Sequence, residues 1–433
     1  MNPMSPALPC RNFVGHVSLL GMIACFIAGC ASHQPADDYA QKYSFGSHNG
    51  PNWTQVAPSA VYSIQSGFGF EPGTDVKNVA GAVTGGKPFF FSVALPEGNY
   101  KVRVTLGNRE TPAETTVRAE LRRLMLQQVP TKPGEFRTLE FTVNLRRTQI
   151  AGGGQVHLKE REMTSEKWAW DDRLTLEFAG QHPSLASLEI KSVDVPTVFL
   201  LGDSTVCDQP AEPFNSWGQM LTRFFKPEVA VANHAESGET IASSLGAERF
   251  NKVWSQIKPG DYLFVQFGHN DMKSRAANAL ETYTESLRKI VDDARSHGAT
   301  PVLCTSVSRR TFDANGKISN SFGGYTDAVR QVAKEKNAPL IDLQAAGAAF
   351  YEAMGPDESH KAFANARENT HHSDYGSFEI AKCVGAGIQQ NHLPLAKSLV
   401  DDFKGFDPSH PDPFDSFKIP ISPLNTQETP AGN

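Results

Sequence analysis

A serine and an amide in this chain stand where apolar runs end, and a histidine with a carboxylate three residues before it precedes a helix, the set that nucleophilic ester or amide chemistry needs. Ser204 ends the run Val198-Phe-Leu-Leu-Gly-Asp-Ser-Thr205. A hydroxyl at the carboxyl end of a strand lies where an open α/β sheet binds ligands. It is a weak nucleophile alone and needs a base, an acid to orient that base, and donors for an oxyanion. His371, in Glu368-Asn-Thr-His371, is the candidate base. Glu368, three residues earlier on a tight loop, can bond one ring nitrogen while the other faces Ser204. Asn270, in Gln266-Phe-Gly-His-Asn-Asp271, brings an amide donor to the same sheet edge. Gly238, in Asn233-His-Ala-Glu-Ser-Gly238, lets a backbone N–H approach closely. With the Ser204 N–H these make a three-donor oxyanion hole.

Each residue also has a plain structural reading. Ser204 reads as a helix N-cap, Gly238 as a turn, Asn270-Asp271 as a loop cap. The joint spacing favours chemistry. His372 is a reserve base and Asp374 a reserve acid, the latter also reading as a cap for a helix from Tyr375 to Ile388. Cys207 is a second possible nucleophile, ranked below Ser204 because the Gly-Asp-Ser turn presents the serine. His234, His269, His371 and His372 have no zinc-like spacing. No metal or cofactor is expected.

The elements that must position these groups change character near Val195. From Tyr43 to Asp194, period-two alternation (Tyr100, Val102, Val104, Leu106; Leu139, Phe141, Val143, Leu145; Leu174, Leu176, Phe178) between Gly- and Pro-bearing turns predicts half-buried strands in a β-sandwich or jelly roll. Trp53, Trp168 and Trp170 read either as sugar-stacking platforms or as packing. From 195 to 398, continuous apolar runs alternate with amphipathic stripes such as Tyr283, Leu287, Ile290, Val291 and Ala294. Such a pattern predicts an α/β, three-layer, doubly wound domain with a parallel sheet covered on both faces. Residues 399–433, rich in Phe, Pro and Asp, predict an irregular tail whose Phe403, Phe406, Phe414 and Phe417 dock on the surface.

The chain has 433 residues and a formal net charge of -6, which gives no electrostatic reason to expect nucleic acid as partner. Residues 1–30 read as an export segment: Arg11, an apolar stretch from Phe13 to Ile27, then small residues before Cys30. Ile27-Ala-Gly-Cys30 resembles a bacterial lipoprotein cleavage box, which implies lipidation of Cys30 and anchoring to a membrane surface. Ala31 after the cysteine resembles outer-membrane sorting, periplasmic or surface-facing; 31–42 would be the tether. Cys207, Cys304 and Cys383 form no disulfide or zinc pattern.

Gly202-Asp203-Ser204, Gly238, Gly268-His-Asn270 and the acid-x-x-His371 spacing together resemble the SGNH (GDSL-like) hydrolases, and within them the rhamnogalacturonan acetylesterase branch, over roughly Pro196 to Leu393. The resemblance implies a flavodoxin-like sheet and carbohydrate O-acetyl ester hydrolysis on plant-wall pectin. It implies Ser204 as nucleophile, His371 as base, and Ser204, Gly238 and Asn270 as oxyanion donors. Arg309 and Arg310 would then suit a galacturonate carboxylate, or else form a surface pair with Asp313. Acetyl-xylan or a small acetylated metabolite is the alternative substrate; a polysaccharide-binding lipoprotein of weak activity is the alternative class. One departure matters: Glu368 stands where the family pattern has Asp, and its extra methylene must be absorbed by the loop.

Overall fold

The strand Thr197–Gly202 is buried throughout, and its alternate residues feed two separate cores. Val198 and Leu200 face one, with Trp217, Phe350 and Ile380. Phe199 and Leu201 face the other, with Leu263, Leu287 and Val329. An all-apolar strand flanked by amphipathic helices can bury both faces only in this way. The computed structural model describes residues 40–424 and 430–431. Cys30 and the export segment lie outside the described residues, as does most of the tether. No helix among the described residues is long and apolar enough to cross a membrane.

The parallel sheet runs Ala230–Asn233, Thr197–Gly202, Tyr262–Gln266, Thr300–Cys304, Leu340–Ile341. Numbered along the chain, that order is 2-1-3-4-5, the flavodoxin-like winding, whose switch point lies between strands 1 and 3. Ser204 follows the first of those strands and Asn270 the third, so the topology places both at the crevice. The stripe predicted around Tyr283 is the buried face of Ala279–Ser296.

Residues 40–192 form two further sheets. One pairs Arg137–Leu145, Gly98–Leu106, Ser184–Ser192, Ala40–Ser44 and Thr54–Gln55, with Val76–Val79 and Ala82–Gly85 at its side. The other runs Phe68–Phe70, Phe89–Ala94, Arg173–Ala179, Ala113–Ala119, Arg123–Thr131. Their inward residues, among them Val102, Val104, Phe91 and Leu176, share one core. The first strand begins inside the expected tether: Ala40 pairs with Lys191, because Tyr43 and Phe45 insert into that core and carry the residues before them into the ladder. The tip of one hairpin, Glu120 to Arg123, reaches into the α/β half. There Arg122 donates to the Phe214 carbonyl (2.8 Å) and pairs with Glu212, and Arg123 pairs with Asp208 (2.7 Å). Leu121 and Leu124 carbonyls accept from Gln219 and Thr222. All described residues fall within one compact unit.

The tail docks through phenylalanines. Phe403 packs on Phe224 and Phe417 on Phe378, while Phe414 remains 40% exposed.

Candidate active site

The turn after Thr197–Gly202 is held before any substrate arrives. Asp203 is fully buried and accepts from Thr205 N–H (3.0 Å) and Thr205 Oγ1 (2.9 Å). Its second oxygen lies 3.1 Å from His269 Nδ1, while His269 Nε2 sits 3.1 Å from the Val307 carbonyl. Burial works to raise the Asp203 carboxyl, yet His269 and the Thr205 donors bring it below its ordinary value. Two motifs far apart in the chain, Gly-Asp-Ser and Gly-His-Asn, are thus locked together behind Ser204.

Ser204 Oγ lies 2.8 Å from His371 Nε2. Glu368 reaches the opposite nitrogen: its Oε2 stands 3.3 Å from His371 Nδ1, within ion-pair range but without hydrogen-bond alignment. The other Glu368 oxygen accepts the backbone N–H groups of Asn369, Thr370 and His371 at 3.0–3.2 Å. The added methylene is absorbed by this clamp, in which the acid curls over its own loop. All three side chains are nearly inaccessible, so the charge on Glu368 acts in a low-dielectric setting.

The donors gather beside them. Gly238 adopts φ +76°, a left-handed conformation that favours glycine. Among the described residues, the backbone N–H groups of Ser204 and Gly238 have no protein acceptor. Asn270 Nδ2 donates to the Glu239 carbonyl at 3.0 Å, which leaves its second hydrogen for another acceptor. Gln209 Nε2 bridges the Ser204 carbonyl (2.7 Å) and Ser237 Oγ (3.3 Å), tying the serine turn to the Gly238 loop. Ala431 of the tail lies against Gly238; a Cβ built there would come within 3.3 Å of its methyl.

The remaining candidates are placed elsewhere. His372 bonds Tyr351 Oη at 2.6 Å, stacks on Phe363, and burial lowers it to about 3. Asp374 is neither triad acid nor cap: it pairs with Arg122 and accepts from Asn215, while Ser373 caps the helix Asp374–Gln390. Burial, with the charges of Glu236 and Glu166, pushes the Cys207 thiol well above its ordinary value, which keeps it unreactive. The four histidines do not converge: His234 lies between Trp170 and Phe199, and His269 is held by Asp203. A buried carboxylate group, Glu162, Glu166 and Glu236, does assemble, but Arg249 and Arg161 pair with it. Burial, with Glu236 beside it, lifts Glu166 to about 9.

Arg310 donates to the Ala366 carbonyl (3.0 Å), and its own N–H reaches Asn369 O (2.8 Å), so it braces the Glu368 loop. Arg309 lies over Phe322, with a long 3.3 Å contact to His269 O. Of the plainer readings for these arginines, a solvated face or a salt bridge to Asp313, the salt bridge does not form among the described residues; that carboxylate accepts the Asn315 and Lys317 N–H groups of its own turn. Trp170 is packing rather than platform, buried between Arg146 and Arg249. Asp203, His269, Gln209 and Glu239 were missed by sequence reasoning. Asp203 and His269 sit inside the quoted motifs, and an acid and a histidine at two converging strand ends were the available signal.

The model of the GDSL-like Lipase/Acylhydrolase family matches residues 200–376. Rhamnogalacturonan acetylesterase RhgT of Bacillus subtilis (strain 168) is 42% identical over 217 residues, 47% of this chain and 94% of that protein. Probable rhamnogalacturonan acetylesterase YesY of the same strain is 33% identical over 213 residues, 47% of this chain and 98% of that protein. The crystal structure of the Bacillus subtilis protein YxiM aligns over 82% of this chain and 99% of its own, with 24% identity and a TM-score of 0.47. With the serine, base and acid assembled as described, the chain belongs to the GDSL-like (SGNH) lipase/acylhydrolase family and is a serine-dependent carboxylic ester hydrolase.

Proposed function

We propose that this chain removes O-acetyl groups from a plant cell-wall polysaccharide, with acetylated rhamnogalacturonan as substrate. The 2.8 Å contact between Ser204 Oγ and His371 Nε2 carries the reading. The two acetylesterase relatives support the substrate. His371 takes the Ser204 proton as Oγ adds to the acetyl carbonyl, and Glu368 stabilises the imidazolium that results. The carbonyl electron pair moves onto oxygen, which the N–H groups of Ser204 and Gly238 and the Asn270 amide receive. Collapse expels the sugar oxygen, which His371 protonates. Water, deprotonated by the same ring, then attacks the acetyl-serine and frees acetate. Arg309, with weak partners of its own, is the residue available to a galacturonate carboxylate.

The sheets over 43–194 are proposed as a β-sandwich that frames this site. Lipidation of Cys30 would hold the enzyme at the outer membrane; Cys30→Ala should move it to the soluble fraction of expressing cells. The activity test is acetate release from acetylated rhamnogalacturonan and from acetyl-xylan, with Ser204→Ala as control. Serine-dependent release from the pectic polymer alone is expected. Release from xylan alone would move the substrate and keep the mechanism. No release from either, by a folded protein that still binds polymer, would replace the esterase reading with the binding one.

A further inference from the structure

We propose that Lys159 and Arg161, supplied by the segment that joins the strands Arg137–Leu145 and Arg173–Ala179, are positioning residues for the oxyanion hole. Both donate to one backbone atom. Lys159 Nζ lies 2.8 Å from the carbonyl oxygen of Ser237, and Arg161 Nη2 bonds the same oxygen. That carbonyl belongs to the peptide whose N–H is that of Gly238. A trans peptide is planar, with C=O and N–H pointing opposite ways. Two cations on the carbonyl therefore fix where the N–H points, and they draw electron density from it.

The cations are themselves held by the residues flanking that peptide. Lys159 pairs with Glu239 Oε1 at 2.5 Å, and Arg161 pairs with Glu236. Asn270 takes the Glu239 carbonyl, so the side-chain donor of the hole is tied to the same loop. Left alone, a peptide next to a glycine can rotate, since glycine populates both signs of φ. Rotation would aim the Ser237 carbonyl, an acceptor, where the oxyanion must sit. Two charge-assisted hydrogen bonds to that carbonyl oppose the rotation. The segment that supplies them, with the short helix Glu160–Met163, crosses from one sheet of residues 40–192 to the other and lies outside residues 200–376, the stretch that carries the family motifs.

The inference rests on Gly238 N–H serving as an oxyanion donor, as proposed above. Hydrolysis of 4-nitrophenyl acetate by the full chain tests it, with melting temperature recorded for each variant. Lys159→Met with Arg161→Met should lower kcat on the order of 10²-fold, near the loss of one donor, and leave KM within about threefold. Lys159 is one-third exposed, so Lys159→Met alone gives a folded arm, expected to lose about tenfold if the pair shares the task. Lys159→Arg should restore most of it. Affinity for a small alkylboronic acid, which forms a tetrahedral adduct on Ser204, should fall in parallel with kcat; a merely structural role would leave that affinity unchanged. Near-parental kcat in folded Lys159→Met and double variants overturns the inference if Asn270→Ala is strongly impaired. If Asn270→Ala is also unimpaired, the oxyanion assignment itself fails.

Discussion

Asn270 Nδ2 stands 3.0 Å from the carbonyl oxygen of Glu239, which joins the end of one parallel strand to the loop that carries Gly238. One side chain thus braces the loop with one amide hydrogen and, in the proposed mechanism, offers the other to the reacting carbonyl. Asn270→Ala is expected to lower kcat by about 10²–10³, equivalent to about 3–4 kcal/mol of barrier. Steady-state kinetics on an acetyl ester would show it, and a loss confined to KM would count against the assignment.

Glu368 divides its work between its two oxygens. Glu368→Gln keeps an acceptor for the three backbone N–H groups but removes the charge beside His371. We expect kcat to fall on the order of 10³–10⁴ with little change in melting temperature. Glu368→Ala should lose stability as well, since it strips three N–H groups of their acceptor. Glu368→Asp should be less active than the parent, because a shorter side chain cannot hold the clamp and reach Nδ1 together. A gain in activity from Asp would sink this account of the clamp.

Asp271 should shape the pH dependence of stability. Burial, with the charge of Asp203 adding, lifts its carboxyl to about 7, against about 4 for an exposed aspartate. Between those values the folded protein keeps a proton that the unfolded chain gives up. The cost of Asp271 is therefore absent below about pH 4 and grows until about pH 7. Its Oδ1 accepts the Ile241 N–H, and its buried Oδ2 has no partner among the described residues. In Asp271→Asn the gain in melting temperature over the parent should be near zero at about pH 4, rise towards about pH 7, then level. A difference independent of pH would show that the carboxyl is not shifted.

The topology around the site was legible because burial leaves a period. The run Val198 to Leu201 is apolar on both faces, and only a covered parallel strand satisfies that. Ser204, Gly238 and Asn270 were picked out from where such runs stop, and His371 from its spacing to Glu368 ahead of a helix. The roles of His372 and Asp374 were not legible, since adjacent residues on a loop point in different directions and only packing decides which. Asp374 is claimed by Arg122, from a hairpin 252 residues away in the chain. Nor could Lys159 and Arg161 be read: a charged segment after a strand normally signals a solvated face, and its true contact is with a backbone oxygen.

Arg118 and Glu177 form an ion pair at 2.8 Å that is almost fully buried, and the tail closes over it through the Pro420 carbonyl and Ser422. Arg118→Met should destabilise by about 3–5 kcal/mol, because Glu177 would keep its burial without a countercharge. Chemical denaturation would measure it. Replacing both partners by apolar residues should recover much of the loss.

The hairpin tip from Glu120 to Arg123 couples the stability of the two halves of the molecule. If the α/β half opened alone, Arg122 and Arg123 would lose Glu212, Asp374 and Asp208 at once. If the sheet half opened alone, Gln219 and Thr222 would lose their backbone acceptors. Opening either half thus strands buried polar groups of the other, so a loss of packing along this seam is expected to reach Ser204 as loss of the whole fold.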